Sequence, residues 1–460
     1  MPRRLTRLLA LALLAVAGPV LAAPPATSSY SADALELLKA SISFRTVQGQ
    51  GQVPAYAAFL ARRLEAAGIA PADIEITPLG ETAYLVARYR GTGTKRPLVV
   101  SAHMDVVEAL AADWERDPFT PVVENGFLYG RGADDNKFDL AMIVTTVARL
   151  KAEGFEPSRD IILAFSGDEE TDMATTIALS TRFPDAEFVL NGDGGGGRLD
   201  SGGQAVVYDI QAGEKTYADF EFTFTNPGGH SSRPTRENAI VDVARAIERI
   251  AAWRFPPQRN ELTRAWLTAT GERTSGPLGV AMLKFAATGD AEAAEVLAGD
   301  PDTVGQIGTT CVPTMLRGGH AHNALPQSAT VSVNCRIFPG VSVESVRERL
   351  VEVIDNPAVV ATTLGNPQAS DTSPLRADIV AAVTRAVHAR APGLPIVPSM
   401  SAGATDSLYF RAAGLPSYGV SALFLRSEDS FAHGLNERVP LDGIDGALLQ
   451  WHTLLTELAK

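Results

Sequence analysis

Four short stretches and one distant loop carry the residues that could do chemistry. "PLVVSAHMDVV" ends an apolar run with His103 and Asp105, two residues apart. "FLYGRGADDNK" supplies Asp134 and Asp135, "FSGDEET" supplies Asp168, Glu169 and Glu170, and "LNGDGG" supplies Asp193. His433 follows much later, in "SFAHGLNERV". Imidazole and carboxylate donors together suit a borderline divalent ion such as zinc. Each stretch alone is weak, since a single His is usually a satisfied core or surface residue and acidic pairs usually sit on solvated loops. Their shared position, at the ends of strand-like runs, is what lifts them above that background.

The elements that must position them read as an α/β pattern. "AYLVARYRG", "RPLVVSAHMDVV", "DIILAFSGDEE" and "AEFVLNGD" are short apolar runs of strand character. "QVPAYAAFLARRLEAAG" and "NKFDLAMIVTTVARLKAEG" read as helices stopped by Gly68 and Gly154. Strands alternating with helices imply a sheet with helices on both faces, and in open sheets of this kind sites form at the carboxyl ends of strands. After about Ala212 the pattern changes. "EKTYADFEFTFTN" alternates as a half-exposed strand does, a helix is expected from Asn238 to about Arg254, and "VSVESVRERLVEVIDN" is another. Two further strands carry Cys311 and Cys335, and the segment from Phe255 to Gly308 reads as irregular with some helix. The expectation is an α+β unit over 213–367, inserted between catalytic segments 24–212 and 368–460.

The chain has 460 residues, 45% of them apolar, and a formal charge of −13. An acidic balance argues against nucleic acid or an anionic membrane as the main partner. Residues 1–23 have the layout of a secretory signal: Arg3, Arg4 and Arg7, an apolar run from Leu8 to Ala17, then small residues. Its removal takes the charge to −16 and implies a periplasmic or secreted protein with no membrane span. In such a compartment the two cysteines are expected to pair, since a hairpin around 322–324 would set Cys311 against Cys335.

"SAHMDVV", "GRGADDNK", "SGDEE", "GDGG" and "HGLNE", in this order, resemble the M20 metallopeptidases, which include aminoacylases, dipeptidases and glutamate carboxypeptidases. The resemblance implies a zinc-exopeptidase-like catalytic domain with a mixed sheet, an inserted lid that also dimerises, and two zinc ions, replaceable by cobalt or manganese. His103 and Asp193 would hold one ion, Glu170 and His433 the other, and Asp135 both, with Asp134 a neighbour. Asp105 would accept the free ring N–H of His103. Glu169 would be the general base for a metal-bridging hydroxide. From the lid, His230 in "TNPGGHSSRP" would stabilise the oxyanion, across a dimer interface in many relatives. Asn323 and Arg336 would bind the substrate's polar groups or carboxylate, and Gly403 and Thr405 of "SAGATDS" would line the substrate loop. The family carries Asp or Glu at this ligand position, and Asp193, the residue that tends to accompany peptidases, tilts the reading towards a peptidase of small peptides, with hydrolysis of N-acyl amino acids as the alternative and an inactive peptide-binding relative as a third.

Overall fold

The computed structural model describes residues 29–460; the signal segment 1–23 lies outside them. The largest feature is a mixed ten-stranded sheet. At its centre four strands run parallel side by side: Ile161–Ser166, Leu98–His103, Phe188–Asn191 and Ser417–Gly419. Thr82–Tyr89 pairs antiparallel with Ile161–Ser166, and Ala205–Glu214 lies antiparallel beyond Ser417–Gly419. The strand Ile396–Ser401 joins parallel to Ala205–Glu214.

Alternation along these strands explains why both faces are covered. Leu85, Ala87, Val100, Ala102, Leu163 and Phe165 enter the main core with the helix Lys137–Ala152 and the C-terminal helix Ile444–Ala459. Tyr84, Val86, Val99, Ile162 and Ala164 face the other way, against Leu179, Phe183 and Phe410. A strand buried on both faces reads as a continuous apolar run, as "PLVV" and "IILAF" do.

Between the strands Ala205–Glu214 and Ile396–Ser401 the chain builds a second sheet, all antiparallel, in the order Thr310–Gly318, Ser328–Ile337, Thr216–Thr225, Val360–Leu364. Phe220, Phe222 and Phe224 point to one face and pack with Val331, Val333, Ile250 and Leu350 into a core of their own. The helices Ala239–Ala252 and Val343–Ile354 cover that face. Cys311 lies opposite Cys335 in the strand register and the two are joined as a disulfide.

The segment from Phe255 to Gly308 departs from the sequence expectation. It is mostly helical, with Glu261–Gly271, Pro277–Thr288, Ala291–Ala298 and Pro301–Val304. These helices are short, so periodicity is a weak signal, but their starts are marked. Asn260, Asp290 and Asp300 each accept a hydrogen bond from a first-turn amide, and Pro277 and Pro301 occupy first-turn positions that lack a hydrogen-bond partner anyway. Leu262 of the first helix belongs to the main core. Among the described residues no helix is long and apolar enough to cross a membrane.

Candidate metal centre

Three adjacent parallel strands end at one place. Leu98–His103 finishes on His103 itself, Ile161–Ser166 leads into Asp168, Glu169 and Glu170, and Phe188–Asn191 leads into Asp193. Asp135 arrives from the turn just before the helix Lys137–Ala152, and His433 from the loop before the short strand Arg438–Pro440.

The donor atoms converge. His103 Nε2 lies 2.8 Å from Asp135 Oδ1 and 4.0 Å from Asp193 Oδ1. His433 Nε2 lies 2.9 Å from Glu170 and 3.2 Å from the other oxygen of Asp135, Oδ2. Asp135 therefore turns one oxygen to each imidazole. Ligand atoms of His103, Asp135 and Asp193, of His103, Glu169 and Glu170, and of Asp135, Glu170 and His433 form three overlapping groups within 4.8 Å. Asp134 is in none of these groups. His433 reaches the cluster from a left-handed backbone, φ 61°, a conformation unfavourable for a side chain with a Cβ and often found at functional sites.

The charges fit a cation. Asp135, Glu169, Glu170 and Asp193 put four carboxylates around two imidazoles, with His103 fully buried and Glu169 only 8% exposed. Even two imidazolium ions leave an excess of buried negative charge, which is costly without compensation. Burial and neighbouring carboxylates push Asp193 and Glu169 well above the usual carboxylate range, against the pull of His103. Burial disfavours charge on Asp135 too, but the two imidazoles win and hold it low. His433 is pushed up to about 10 by its contacts with Asp135 and Glu170. Divalent cations would supply the missing positive charge, and this donor set suits a borderline ion.

Asp105 differs in one respect from its expected role. Its carboxylate sits 3.6 Å from His103 Nδ1, while its main-chain carbonyl is nearer, at 3.1 Å. The carboxylate accepts instead from the amides of Glu169 and Glu170, both at 3.0 Å. Asp105 thus orients the acid pair with its side chain and His103 with its backbone.

Two supporting residues escape sequence reasoning. Glu437 is completely buried and pairs with Arg131 at 2.6 Å. Its carboxylate also accepts from the amides of Gly132, Asp134 and Asp135, and so holds the turn that presents Asp135. Asp406 accepts from Ser101, Ser166 and Thr176, tying together the strands that carry His103 and Glu169. Burial pushes its carboxyl up to about 6. Glu437→Gln keeps the volume but leaves Arg131 buried without its counter-charge. It should lower unfolding stability by about 3–5 kcal/mol. Denaturation by urea checks this, and a loss under about 1 kcal/mol would assign the turn's stability elsewhere.

The other expected site residues divide. Arg336 lines a cleft of about 630 Å3 together with Glu169, Glu170 and His433. Its Nη1 donates to the Ala402 carbonyl at 3.3 Å, and its guanidinium lies over the Tyr217 ring. Gly403 is exposed on the adjoining loop and donates its amide to Ser401. Thr405 is a correction. It is buried, and its hydroxyl donates to Glu214 while accepting from Asn191 and the Ser407 amide. Its polar atom is committed inward, so it anchors the loop instead of facing the cleft. His230 and Asn323 are brought together at the small pairing of Gly229–His230 with Ala324–Leu325, where the Ser231 amide donates to Asn323 O. Both are exposed, and neither lines the cleft that holds the donor cluster.

Comparison with known proteins follows the same lines. Residues 99–457 match the family model of peptidase family M20/M25/M40. The chain is 27% identical over 372 residues to the N-fatty-acyl-amino acid synthase/hydrolase PM20D1 of Xenopus tropicalis, covering 78% of this chain and 72% of that one. It is 26% identical over 433 residues to the aminoacylase-1 of Sus scrofa, covering 89% and 92%. Among solved structures, the M20 family metallo-carboxypeptidase Sso-CP2 of Sulfolobus solfataricus superposes with a TM-score of 0.70 at 19% identity, covering 92% of this chain and 98% of that one. With its motifs in order and its donors gathered at the ends of three parallel strands, the chain belongs to peptidase family M20/M25/M40.

Proposed function

We propose that the protein is a dinuclear-metal hydrolase that cleaves the amide bond of small peptides as an exopeptidase. The observation that carries this is the two-sided placement of Asp135 between His103 and His433, with Glu169 beside His103 and Glu170. In this reading His103, Asp135 and Asp193 hold one ion and Asp135, Glu170 and His433 the other, zinc by preference with cobalt or manganese as substitutes. Bound there, the ions lower the pKa of a water and polarise the amide carbonyl. Glu169 takes the water's proton and delivers it to the departing amine. Asp105 keeps Glu169 and Glu170 in place through their amides. Arg336, across the cleft, offers its remaining N–H groups to the free carboxylate of the substrate.

The names of two relatives, aminoacylase-1 and N-fatty-acyl-amino acid synthase/hydrolase, favour N-acyl amino acids as the second reading. Both substrate classes carry the carboxylate that Arg336 would bind. The metal-loaded protein should therefore turn over members of a panel of dipeptides and N-acyl amino acids, and fail with their carboxamides. Arg336→Ala should raise KM about tenfold to a hundredfold, the size of a lost charged hydrogen bond, with a smaller effect on kcat. A loaded protein that hydrolyses neither class, while still binding peptide, would make it a binding relative.

The second sheet and its helices serve as the lid in this reading, and the lid as a dimer surface. Among the described residues the sheet's outer strand Thr310–Gly318 is unpaired on its outer edge, and it exposes Val312, Met315 and Leu316 by 55%, 57% and 62%, a feature that soluble monomers usually protect. In this reading a second copy supplies its own His230 to a cleft that this chain's His230 does not line. The proposed export rests on residues 1–23, and the N-terminus of the protein recovered from the periplasm or medium tests it.

A further inference from the structure

The two sheets join at Glu214. It is the last residue of the strand Ala205–Glu214, and the second sheet begins at Thr216. The returning chain reaches the same place. There the Ser373 amide donates to the Ala212 carbonyl at 2.7 Å, and the Ser373 hydroxyl to the Ser417 carbonyl at 2.8 Å. Glu214 is 1% exposed, and the buried Arg411 lies 3.0 Å away as its counter-charge. The proton path and the ligand set leave this carboxylate unused.

A carboxylate paired with an arginine only accepts hydrogen bonds, and this one sets the direction of a chain of them. The hydroxyl and amide of Thr405 and the side-chain amide of Gln211 all donate to Glu214. With its one proton given away, the Thr405 hydroxyl oxygen can only accept. It does so from Asn191 Nδ2 at 3.2 Å and from the Ser407 amide at 3.1 Å. Asn191 Nδ2 donates also to the Ser407 hydroxyl at 2.9 Å. The amino half of the Asn191 side chain is thus committed to this side, and its Oδ1 accepts from the Asp193 amide at 2.9 Å. Asn191 is fully buried, so these partners fix which way its amide points. The sequence Glu214, Thr405, Asn191, Asp193 therefore runs with one polarity from the joint between the sheets to a donor of the metal centre. The other donors are held from elsewhere: Asp105 accepts from the Glu170 amide, Glu437 from the Asp135 amide, and His433 contacts Glu170 and Asp135.

Resting on the dinuclear-metal reading above, we infer that Glu214 is a positioning residue for the metal centre, which orients Asp193 through Thr405 and Asn191. Its influence falls on one ion only, the one held by His103, Asp135 and Asp193. The ion held by Asp135, Glu170 and His433 does not depend on it.

Thr405→Val keeps the shape of the side chain and removes the hydroxyl in the middle of this chain. Zinc titration of the metal-free protein, in competition with a chromophoric chelator, should give two affinities for the unaltered protein. In Thr405→Val one of them should fall by about tenfold to a hundredfold, the usual cost of losing a partner behind a ligand, and the other should hold. Glu214→Gln, which can turn a donor towards Thr405, should do the same. Thr405→Ser keeps the hydroxyl and should match the unaltered protein. Added to His433→Ala, Thr405→Val should weaken the remaining ion by the same factor; added to Asp193→Ala it should change nothing, because the two act on one ligand. A loosened fold would weaken both ions alike, and that result, or two unchanged affinities, overturns the inference. Thr405→Val and Glu214→Gln break different links, so a misfolded variant leaves the other to decide. If the unaltered protein binds no zinc, the dinuclear-metal reading fails. Hydrogen exchange of the metal-free protein then decides the positioning of Asp193 independently. Its amide should exchange about tenfold faster in Thr405→Val or Glu214→Gln, the scale of one net hydrogen bond, and equal rates remove the link.

Discussion

Glu169→Gln is expected to retain its metal and to lose turnover by about 10²–10⁴, the range of a positioned general base. The substitution leaves the shape of the side chain and removes only its ability to take and return a proton. Glu169 is set up for that task. Its side chain is almost fully buried among His103, Glu170, Asp193 and Asp406, and burial pushes its carboxyl well above the usual range. Its backbone is fixed by Asp105, so the base cannot drift with its loop. Neighbouring Glu170 has a different partner, His433 at 2.9 Å. In the proposed reading, what surrounds the two adjacent acids divides them between ion holding and proton transfer. Elemental analysis should give the same metal content for the variant and the unaltered protein. A near-normal rate with full metal would remove Glu169 from the proton path. Mixing this variant with His230→Ala adds a second test. Recovery of activity in exchanged dimers is expected if His230 reaches the partner's cleft, and its absence after verified exchange would deny that sharing.

His103, Glu169, Glu170 and Asp193 were legible in the sequence because each stands at or just after the end of an apolar run, whereas Asp135 and His433 were reached only through the ordered motifs "GRGADDNK" and "HGLNE". His103 follows "PLVVSA", Glu169 and Glu170 follow "IILAFSGD", and Asp193 follows "FVLNG". A core strand ends where its apolar residues end, so a polar residue at that boundary faces the sheet's edge. Glu437 and Asp406 were not legible, because what identifies them is the partner and not the neighbour. Glu437 meets Arg131 across a sequence separation of 306 residues, and Asp406 collects hydroxyls from Ser101, Ser166 and Thr176. Thr405 was misread for the same reason, since its sequence context suggests an open loop while Glu214 draws its hydroxyl inward. The four short helices between 261 and 304 lack periods long enough to register, and their capping residues were the signal to follow. The long helices and the alternating strands of the second sheet needed no such help. Their apolar faces repeat for three turns or more, or along eight to ten strand residues.

Asp135→Ala should cost more metal than any other single change at the site. Each remaining donor faces one side of the cluster: His103 and Asp193 lie towards Oδ1 of Asp135, and His433 and Glu170 towards Oδ2. Removing His433 therefore takes one donor from one position, whereas removing Asp135 takes one from both. It also takes away the negative charge shared by the two imidazoles, which the structure holds ionised despite its burial. The surviving carboxylates are those that burial pushes towards protonation, and a protonated carboxyl is a poor ligand. The expected order after dialysis against a mild chelator is two ions per chain in the unaltered protein, about one in His433→Ala, and less than one in Asp135→Ala. Asp135→Asn separates charge from shape and should resemble the alanine variant in metal content. Thermal unfolding supplies a reading independent of activity. The midpoint of the unaltered protein should rise with added zinc, because an ion bound only by the folded state stabilises it in proportion to the logarithm of its concentration, and that of Asp135→Ala should barely move over the same range. Two ions per chain in Asp135→Ala would show that Asp135 is not the shared ligand and would return the choice to its neighbour Asp134, whose amide the same Glu437 carboxylate holds at 2.7 Å.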